Sequence, residues 1–475
     1  MLENIQIHQL LTQYNPWWNN GGHVEEVPQV YRRAYNETLQ TLNHREIRRF
    51  VILTGARRVG KTTIMKQVIE RLLTEGVPPQ HILYLSFDNP MLKLLGFRRV
   101  IEAYDQYIAP DEQKYMFLDE IQYAEDWSLW LKTLYDTRPG LRVVATGSAS
   151  PSIEKGASDS GVGRWRVLRM PTLTFREYCD ILQIHPACSN QQFSLEELAG
   201  MQKGDFRELM QSAGDMQAHW NHYMAQGGFP ELLRVSSTAQ AQMVLREDVV
   251  DKVLKRDVPS LFDVRNTLQL EKIFLYLCLH SGSIINMAAM CSALGGVSLP
   301  TLQRYIEYLR DANLIYTCPN INKSGKKGLS AQEKIYVADV SLRHATLMTD
   351  PRMVCDSELG CMVESIVYKH LLYAYASRYR LGYLRLPGRD KPEVDFALAH
   401  PAGGNLLCEV KYKNDSSITR HDAIAALSAA PETKAAFLIT RQPGDYGTDT
   451  ILPQAKPIIR IPAATFCYLL HTDTY

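Results

Sequence analysis

Gly55-Ala56-Arg57-Arg58-Val59-Gly60-Lys61-Thr62, followed by Thr63, has the residue types of a loop that cradles phosphates. Its glycines let the backbone curl until successive N–H groups face one point, and a helix starting at its end adds a positive terminus. In that setting the Lys61 ammonium bridges the β- and γ-phosphates of ATP, and the Thr62 hydroxyl is a ligand for Mg²⁺. A second Mg²⁺ ligand must come from elsewhere, and Asp119 closes the apolar run Tyr115-Met116-Phe117-Leu118. Glu120 beside it is placed to orient or activate the attacking water.

A second group of carboxylates lies far downstream. Glu393-Val394-Asp395-Phe396 is followed, after a Gly-containing turn, by Cys408-Glu409-Val410-Lys411. Strand alternation puts Glu409 and Lys411 on one face. With Asp395 on a neighbouring strand and Glu364 on a preceding helix, the set could hold Mg²⁺ or Mn²⁺ at Asp395 and Glu409 and activate water for phosphodiester hydrolysis, Lys411 steadying the developing charge. The same spacing also describes an exposed strand face of salt-bridged Glu and Lys.

Other residues read two ways. Ser148, or Thr146 beside it, suits a γ-phosphate sensor or a turn cap. Arg164 and Arg256 suit arginine fingers or ordinary surface arginines. Lys323, Lys326 and Lys327, in Asn322-Lys323-Ser324-Gly325-Lys326-Lys327-Gly328, suit phosphate contacts from a wing or a solvated loop.

The elements that position these residues alternate as in a parallel α/β sheet. Strands are expected at 50–53, 82–87, 115–118 and 141–146, with a helix over 62–73 after the first. Ligands of such sheets bind beyond the carboxyl ends of the strands, where the polar residues collect. Residues 171–262 read as a helical lid. Three short helix patterns and two strands flanking the basic loop read as a winged-helix-like unit over 263–345, and residues 346–475 as a further α/β domain. Residues 1–47 are a lead-in, and 48–170 the phosphate-loop core.

At 475 residues the chain is too long for one core. With 45% hydrophobic and 22% charged residues it reads as globular, and a net charge of +1 leaves any DNA contact to local patches. No leader pattern and no stretch of about 18 apolar residues is seen, which points to a cytoplasmic protein without membrane spans. The nine cysteines show no zinc spacing and read as reduced core thiols.

Together with Phe175-Arg176-Glu177-Tyr178 and Gly227-Gly228-Phe229-Pro230-Glu231, these motifs resemble AAA-type ATPases that carry a C-terminal domain of unknown function (the AAA_14 plus DUF4143 architecture). The resemblance implies an α/β multidomain protein: an AAA-type parallel sheet with a helical lid, a winged-helix-like middle and a C-terminal domain related to PD-(D/E)XK restriction endonucleases. It maps that active-site pattern onto Asp395, Glu409 and Lys411, with Glu364 as the helix carboxylate; Val394 stands where the pattern usually has Pro. It further implies ATP and Mg²⁺ as cofactors, DNA as partner, and a homo-oligomer, a hexamer among the arrangements. The function expected is ATP-driven remodelling or metal-dependent cleavage of DNA. A nucleotide-switched DNA-binding module, or a defence or signalling ATPase acting on RNA or protein, are the rivals.

Overall fold

Strands of a parallel sheet are covered on both faces and so read as unbroken apolar runs. Phe50–Thr54, buried at every position, is one of these. In the computed structural model five strands, β1 (Phe50–Thr54), β2 (Ile82–Ser86), β3 (Lys114–Asp119), β4 (Leu141–Gly147) and β5 (Trp165–Arg169), lie in the order β2-β3-β4-β1-β5. Every neighbouring pair is parallel. β5 adds to the four strands expected; three of its five residues are partly or fully exposed, so no apolar run announces it. The structure describes residues 4–44, 46–109, 114–147, 163–262, 264–321, 332–350, 353–386 and 392–471.

The lead-in covers the β2 edge of this sheet. The buried Asn15 amide pairs with the Tyr84 backbone through both its ends, at 2.6 and 3.0 Å. The indole N–H groups of Trp17 and Trp18 both donate to the Ile82 carbonyl. An exposed strand edge is an aggregation template, and side-chain donors and acceptors close it.

The chain divides into two compact units, one ending at Met170 and one running from Pro171 to Asp473. Within the second, helices Thr267–Leu279, Met287–Ala293 and Leu299–Asp311 each begin at a capping residue. Asn266, Asn286 and Ser298 accept from the backbone N–H three residues on, which satisfies a donor the first turn leaves open. An antiparallel hairpin follows, β6 (Ile315–Cys318) and β7 (Lys334–Val337), and Ile284 bridges to Lys334 as a short third rung.

Helix Asp356–Tyr375 then leads into a mixed sheet. Its strands are β8 (Arg380–Arg385), β9 (Glu393–Ala399), β10 (Asn405–Lys411), β11 (Thr433–Thr440), β12 (Gly447–Asp449) and β13 (Ile458–Pro462), in the order β12-β13-β11-β10-β9-β8. Alternation divides its core. Phe396, Cys408 and Phe437 share one cluster with Val363, Ile366 and Leu371 of the helix, while Ala397, Leu407 and Leu438 join Ile424 in another.

The Gly227-Gly228 motif has a packing reason. A Cβ on Gly227 would lie 2.3 Å from both Asp339 Oδ1 and Ser341 Oγ, and its φ of +78° is left-handed. Gly228 N–H donates to Asp339, as does the Ser341 hydroxyl. The Lys369 ammonium completes the group, donating to Asp339 Oδ2 (3.1 Å), Thr172 Oγ1 (2.9 Å) and the Tyr223 hydroxyl (2.8 Å). Beside it the His370 imidazole accepts from the Phe175 N–H at 2.8 Å. The two sequence motifs are thus tied to residues of helix Asp356–Tyr375 and to Asp339.

Candidate functional site

The phosphate loop follows β1. A Cβ on Gly55 would fall 2.3 Å from the Met170 carbonyl oxygen, so the loop can leave the sheet here only with glycine. Gly60 has φ +95° and caps helix Lys61–Thr74, and Arg58 is left-handed at φ +62°. Ala56 and Val59 are buried, and Thr63 sits in the first helical turn. Lys61 Nζ donates to the Gly55 and Ala56 carbonyls, both at 2.9 Å. Arg57 reaches the Tyr123 hydroxyl at 3.3 Å. From the lead-in, buried Arg32 donates to the Val59 carbonyl at 2.6 Å.

Asp119 ends β3, and the fold brings Thr62 to it: Thr62 Oγ1 donates to Asp119 Oδ2 at 2.7 Å. Tyr84, on the adjacent β2, donates to the same oxygen at 2.8 Å. Thr146, at the end of β4, donates to Asp119 Oδ1 and accepts from the Glu120 N–H at 3.0 Å. Burial, then the Asp119 charge, pushes the Tyr84 phenol far above its ordinary value, so it stays a donor. Glu120 is left-handed at φ +50° and its carboxylate accepts from Gln122. An uncommon backbone conformation of this kind often marks a functional position. Gly55 to Thr63, Asp119 and Glu120 all belong to the first unit.

Of the remaining candidates in that unit, Arg164 pairs with Asp136 at 3.0 Å, and Ser148 lies outside the described residues. Arg256 belongs to the second unit, exposed on the helical stretch Val253–Asp257. Lys323, Lys326 and Lys327 also lie outside the described residues.

The downstream carboxylates do gather. Asp395 Oδ2 accepts from the Val410 N–H at 3.0 Å, and the Asp395 N–H donates to Glu409 Oε2 at 3.3 Å. Glu364 Oε2 accepts from the Tyr336 hydroxyl at 3.4 Å. Burial, then the Asp395 charge, raises both the Glu364 and Glu409 carboxyls well above the usual carboxylate range. Lys411 is engaged elsewhere, with Asp422 Oδ1 at 2.6 Å and the Ser417 carbonyl at 3.0 Å. The buried cation in contact with Asp395 is Lys334 of β7, whose Nζ lies 2.9 Å from Glu393 Oε1 and 3.1 Å from Asp395 Oδ1; the half-exposed Arg385 approaches only Glu393 Oε2, at 3.9 Å. Burial alone would lower this ammonium; Asp395, Glu364 and Glu393 outweigh it and raise it. Among the described residues no three His, Cys, Asp or Glu side chains are arranged to hold a metal ion.

Residues 47–179 match the AAA domain family. Residues 217–352 match a domain of unknown function (DUF8612), a different label from the DUF4143 that the motifs suggest. An uncharacterized protein of Haemophilus influenzae is 22% identical over 76% of this chain and 82% of its own, and one of Methanocaldococcus jannaschii is 24% identical over 73% and 71%. Among solved structures, the Aeropyrum pernix ORC1 protein in complex with DNA aligns with 70% of this chain and 96% of its own, at 13% identity and a TM-score of 0.30. Among the described residues no helix is long and apolar enough to cross a membrane.

Two residues of the phosphate-loop site had no sequence signal of their own. Tyr84 is one aromatic in an apolar strand, and Arg32 one of two adjacent arginines; both need the sheet order or the course of the lead-in to be noticed. Lys334 had a faint one, a lysine opening the strand Lys334-Ile335-Tyr336-Val337 that is buried throughout.

Proposed function

We propose that the AAA domain binds ATP with Mg²⁺ and hydrolyses it, and that turnover alters how the second unit holds DNA. The observation that carries the reading is the Thr62–Asp119 contact of 2.7 Å at the mouth of a glycine-bounded phosphate loop. These are hard oxygen ligands of the kind Mg²⁺ takes, and a hydroxyl from the first turn of helix Lys61–Thr74 beside a carboxylate at the end of β3 fits the ion. Thr62 and Asp119 would hold the Mg²⁺ that offsets the phosphate charge. Lys61 would turn from the loop carbonyls to the β- and γ-phosphates, and Glu120 would orient the attacking water.

DNA as the partner is supported by the second unit. Three capped helices followed by a hairpin, with Ile284 as a further rung, form a winged-helix-like arrangement. Lys323, Lys326 and Lys327 fall in the connection between β6 and β7. The lid reading applies to the helices after Pro171. The helix Asp356–Tyr375 and the strands β8 to β11 have the order of a restriction-endonuclease-like core, but cleavage there needs a divalent ion at Asp395, Glu409 and Glu364, and their present partners speak against one. A homo-oligomer, with six subunits as one arrangement, is proposed by analogy with nucleotide sites shared between subunits.

The test is nucleotide binding, turnover and duplex affinity at fixed salt in wild type, Lys61→Ala and Glu120→Gln. Lys61→Ala should lose nucleotide binding. Glu120→Gln should bind ATP but hydrolyse it about 10²–10⁴-fold more slowly, and so hold one DNA-affinity state. Normal turnover in Glu120→Gln would sink the site assignment; DNA affinity indifferent to nucleotide, with RNA or a protein bound instead, would move the target.

A further inference from the structure

We propose that the acidic cluster of the second unit is built around an internal cation, the Lys334 ammonium, which keeps divalent metal ions out, so that removing this charge turns the cluster into a Mn²⁺ site. The unit would then grip its target without cutting it, which goes beyond the nucleotide-driven reading and does not depend on it.

Lys334 is held from several sides. Its backbone pairs with Cys318 in the hairpin and bridges to Ile284. Its side chain is 3% exposed, too little for the ammonium to swing into solvent without opening the packing. The ammonium lies 5.6 Å from the centre of the Tyr383 ring and bonds Glu393 Oε1 and Asp395 Oδ1.

The carboxylate oxygens a metal would need already have donors. Asp395 Oδ1 takes Lys334 and Oδ2 takes the Val410 N–H. Glu409 Oε2 takes the Asp395 N–H, and Glu364 Oε2 takes the Tyr336 hydroxyl. A backbone N–H or a hydroxyl is neutral and tolerates a cation on the other lone pair of the same oxygen. An ammonium does not: a divalent ion on Asp395 would sit beside a like charge in a site of low dielectric. Lys411, the lysine that the sequence places at the site, forms an ion pair with Asp422 and leaves the cluster to Lys334.

Glu364, Glu393, Asp395 and Glu409 are oxygen donors of the chemical type a hard divalent ion takes, and their arrangement is the one set with Lys334 in place. Two carboxylates of β9, Glu393 and Asp395, hold the buried cation directly, and methionine at 334 would fill a similar volume without charge.

The experiment is Mn²⁺ titration of the nucleotide-free full chain, followed by electron paramagnetic resonance and calorimetry, in wild type, Asp395→Asn, Lys334→Met and the double variant. Wild type and Asp395→Asn should bind Mn²⁺ alike. Lys334→Met should gain one Mn²⁺ at least about tenfold tighter, and the double variant should lose it. Wild-type Mn²⁺ binding that Asp395→Asn abolishes would overturn the proposal, as would a folded Lys334→Met that gains no ion. Should Lys334→Met fail to fold, Lys334→Gln, whose neutral amide NH2 keeps two N–H donors at that position, takes its place under the same criteria. The comparison of wild type with Asp395→Asn stands alone in any case.

Discussion

Asp119 and Asp395 are both buried aspartates at strand ends or in strands of a sheet, each beside a second acid, yet they are held differently. Asp119 takes its hydrogen bonds from the hydroxyls of Thr62, Tyr84 and Thr146. Asp395 takes one of its bonds from an ammonium. Hydroxyls are neutral, so a cation can replace or join them without like-charge repulsion; an ammonium already supplies the charge that a metal would bring. The presence of carboxylates therefore says little about metal binding. What decides is whether their present partners are neutral or positive.

The largest effect expected from this contrast is on stability. If a lysine held by carboxylates is structural, then Lys369→Met, which strips Asp339 of its ammonium in a fully buried setting, should cost about 3–5 kcal/mol. Urea unfolding of the full chain reads this as a lowered midpoint of the transition that involves the second unit. Adding Asp339→Leu should restore part of the loss, because the penalty is mostly that of an unpaired buried charge. A single-variant cost under about 1 kcal/mol would break the comparison.

Acid sharpens the same region next. Burial, then the neighbouring Lys369 charge, holds the His370 imidazole at about 3, and its ring accepts the Phe175 N–H only while neutral. The folded value lies below the unfolded one, so the contribution is complete above about pH 6.5 and is lost as pH falls toward 3. Its steepest slope is about 1.4 kcal/mol per pH unit. Asp339 is also held below its ordinary value, burial opposing and Lys369 with the Thr172 and Ser341 hydrogen bonds prevailing. Its share is present above pH 3.8 and goes only at still lower pH. Melting temperature against pH should therefore fall between pH 6.5 and 4 more steeply in wild type than in His370→Gln; parallel curves would remove His370 from the account.

How much of this was legible follows from how local each device is. The phosphate loop is contiguous, and its glycines are demanded by backbone geometry at Gly55 and Gly60, so a short string of residues suffices. Asp119 could be paired with Thr62 because strand ends of a parallel sheet face one side. Asp395 and Glu409 were readable as neighbours because two strand patterns joined by a short Gly-containing turn pair with each other. Lys334 was not, because it meets them only through the hairpin's packing beside β8, where Asn320 bridges to Tyr383 and the Tyr383 hydroxyl donates to the Gln332 carbonyl. The Gly227-Gly228 and Phe175-Arg176 motifs were visible as strings, but their purpose depends on Asp339, Lys369 and His370, which are distant in sequence. Tyr84 was hidden for a related reason: it reaches Asp119 only because β2 and β3 are neighbours.

Tyr84 offers the finest test of what a neutral partner does. Its hydroxyl and that of Thr62 share Asp119 Oδ2, so Mg²⁺ entering at that oxygen must displace or rearrange at least one donor. A typical net hydrogen bond is worth about 1 kcal/mol, or roughly fivefold in an equilibrium constant. Tyr84→Phe should therefore lower the Mg²⁺ concentration for half-maximal ATP turnover by up to about fivefold. The maximal rate should change less, since Thr62 and Thr146 still orient the carboxylate. A purely structural tyrosine would instead lower the melting temperature and leave the Mg²⁺ dependence where it was. That result would mean that Asp119 is prepared for the ion by Thr62 and Thr146 alone, and that Tyr84 belongs with the core of the sheet.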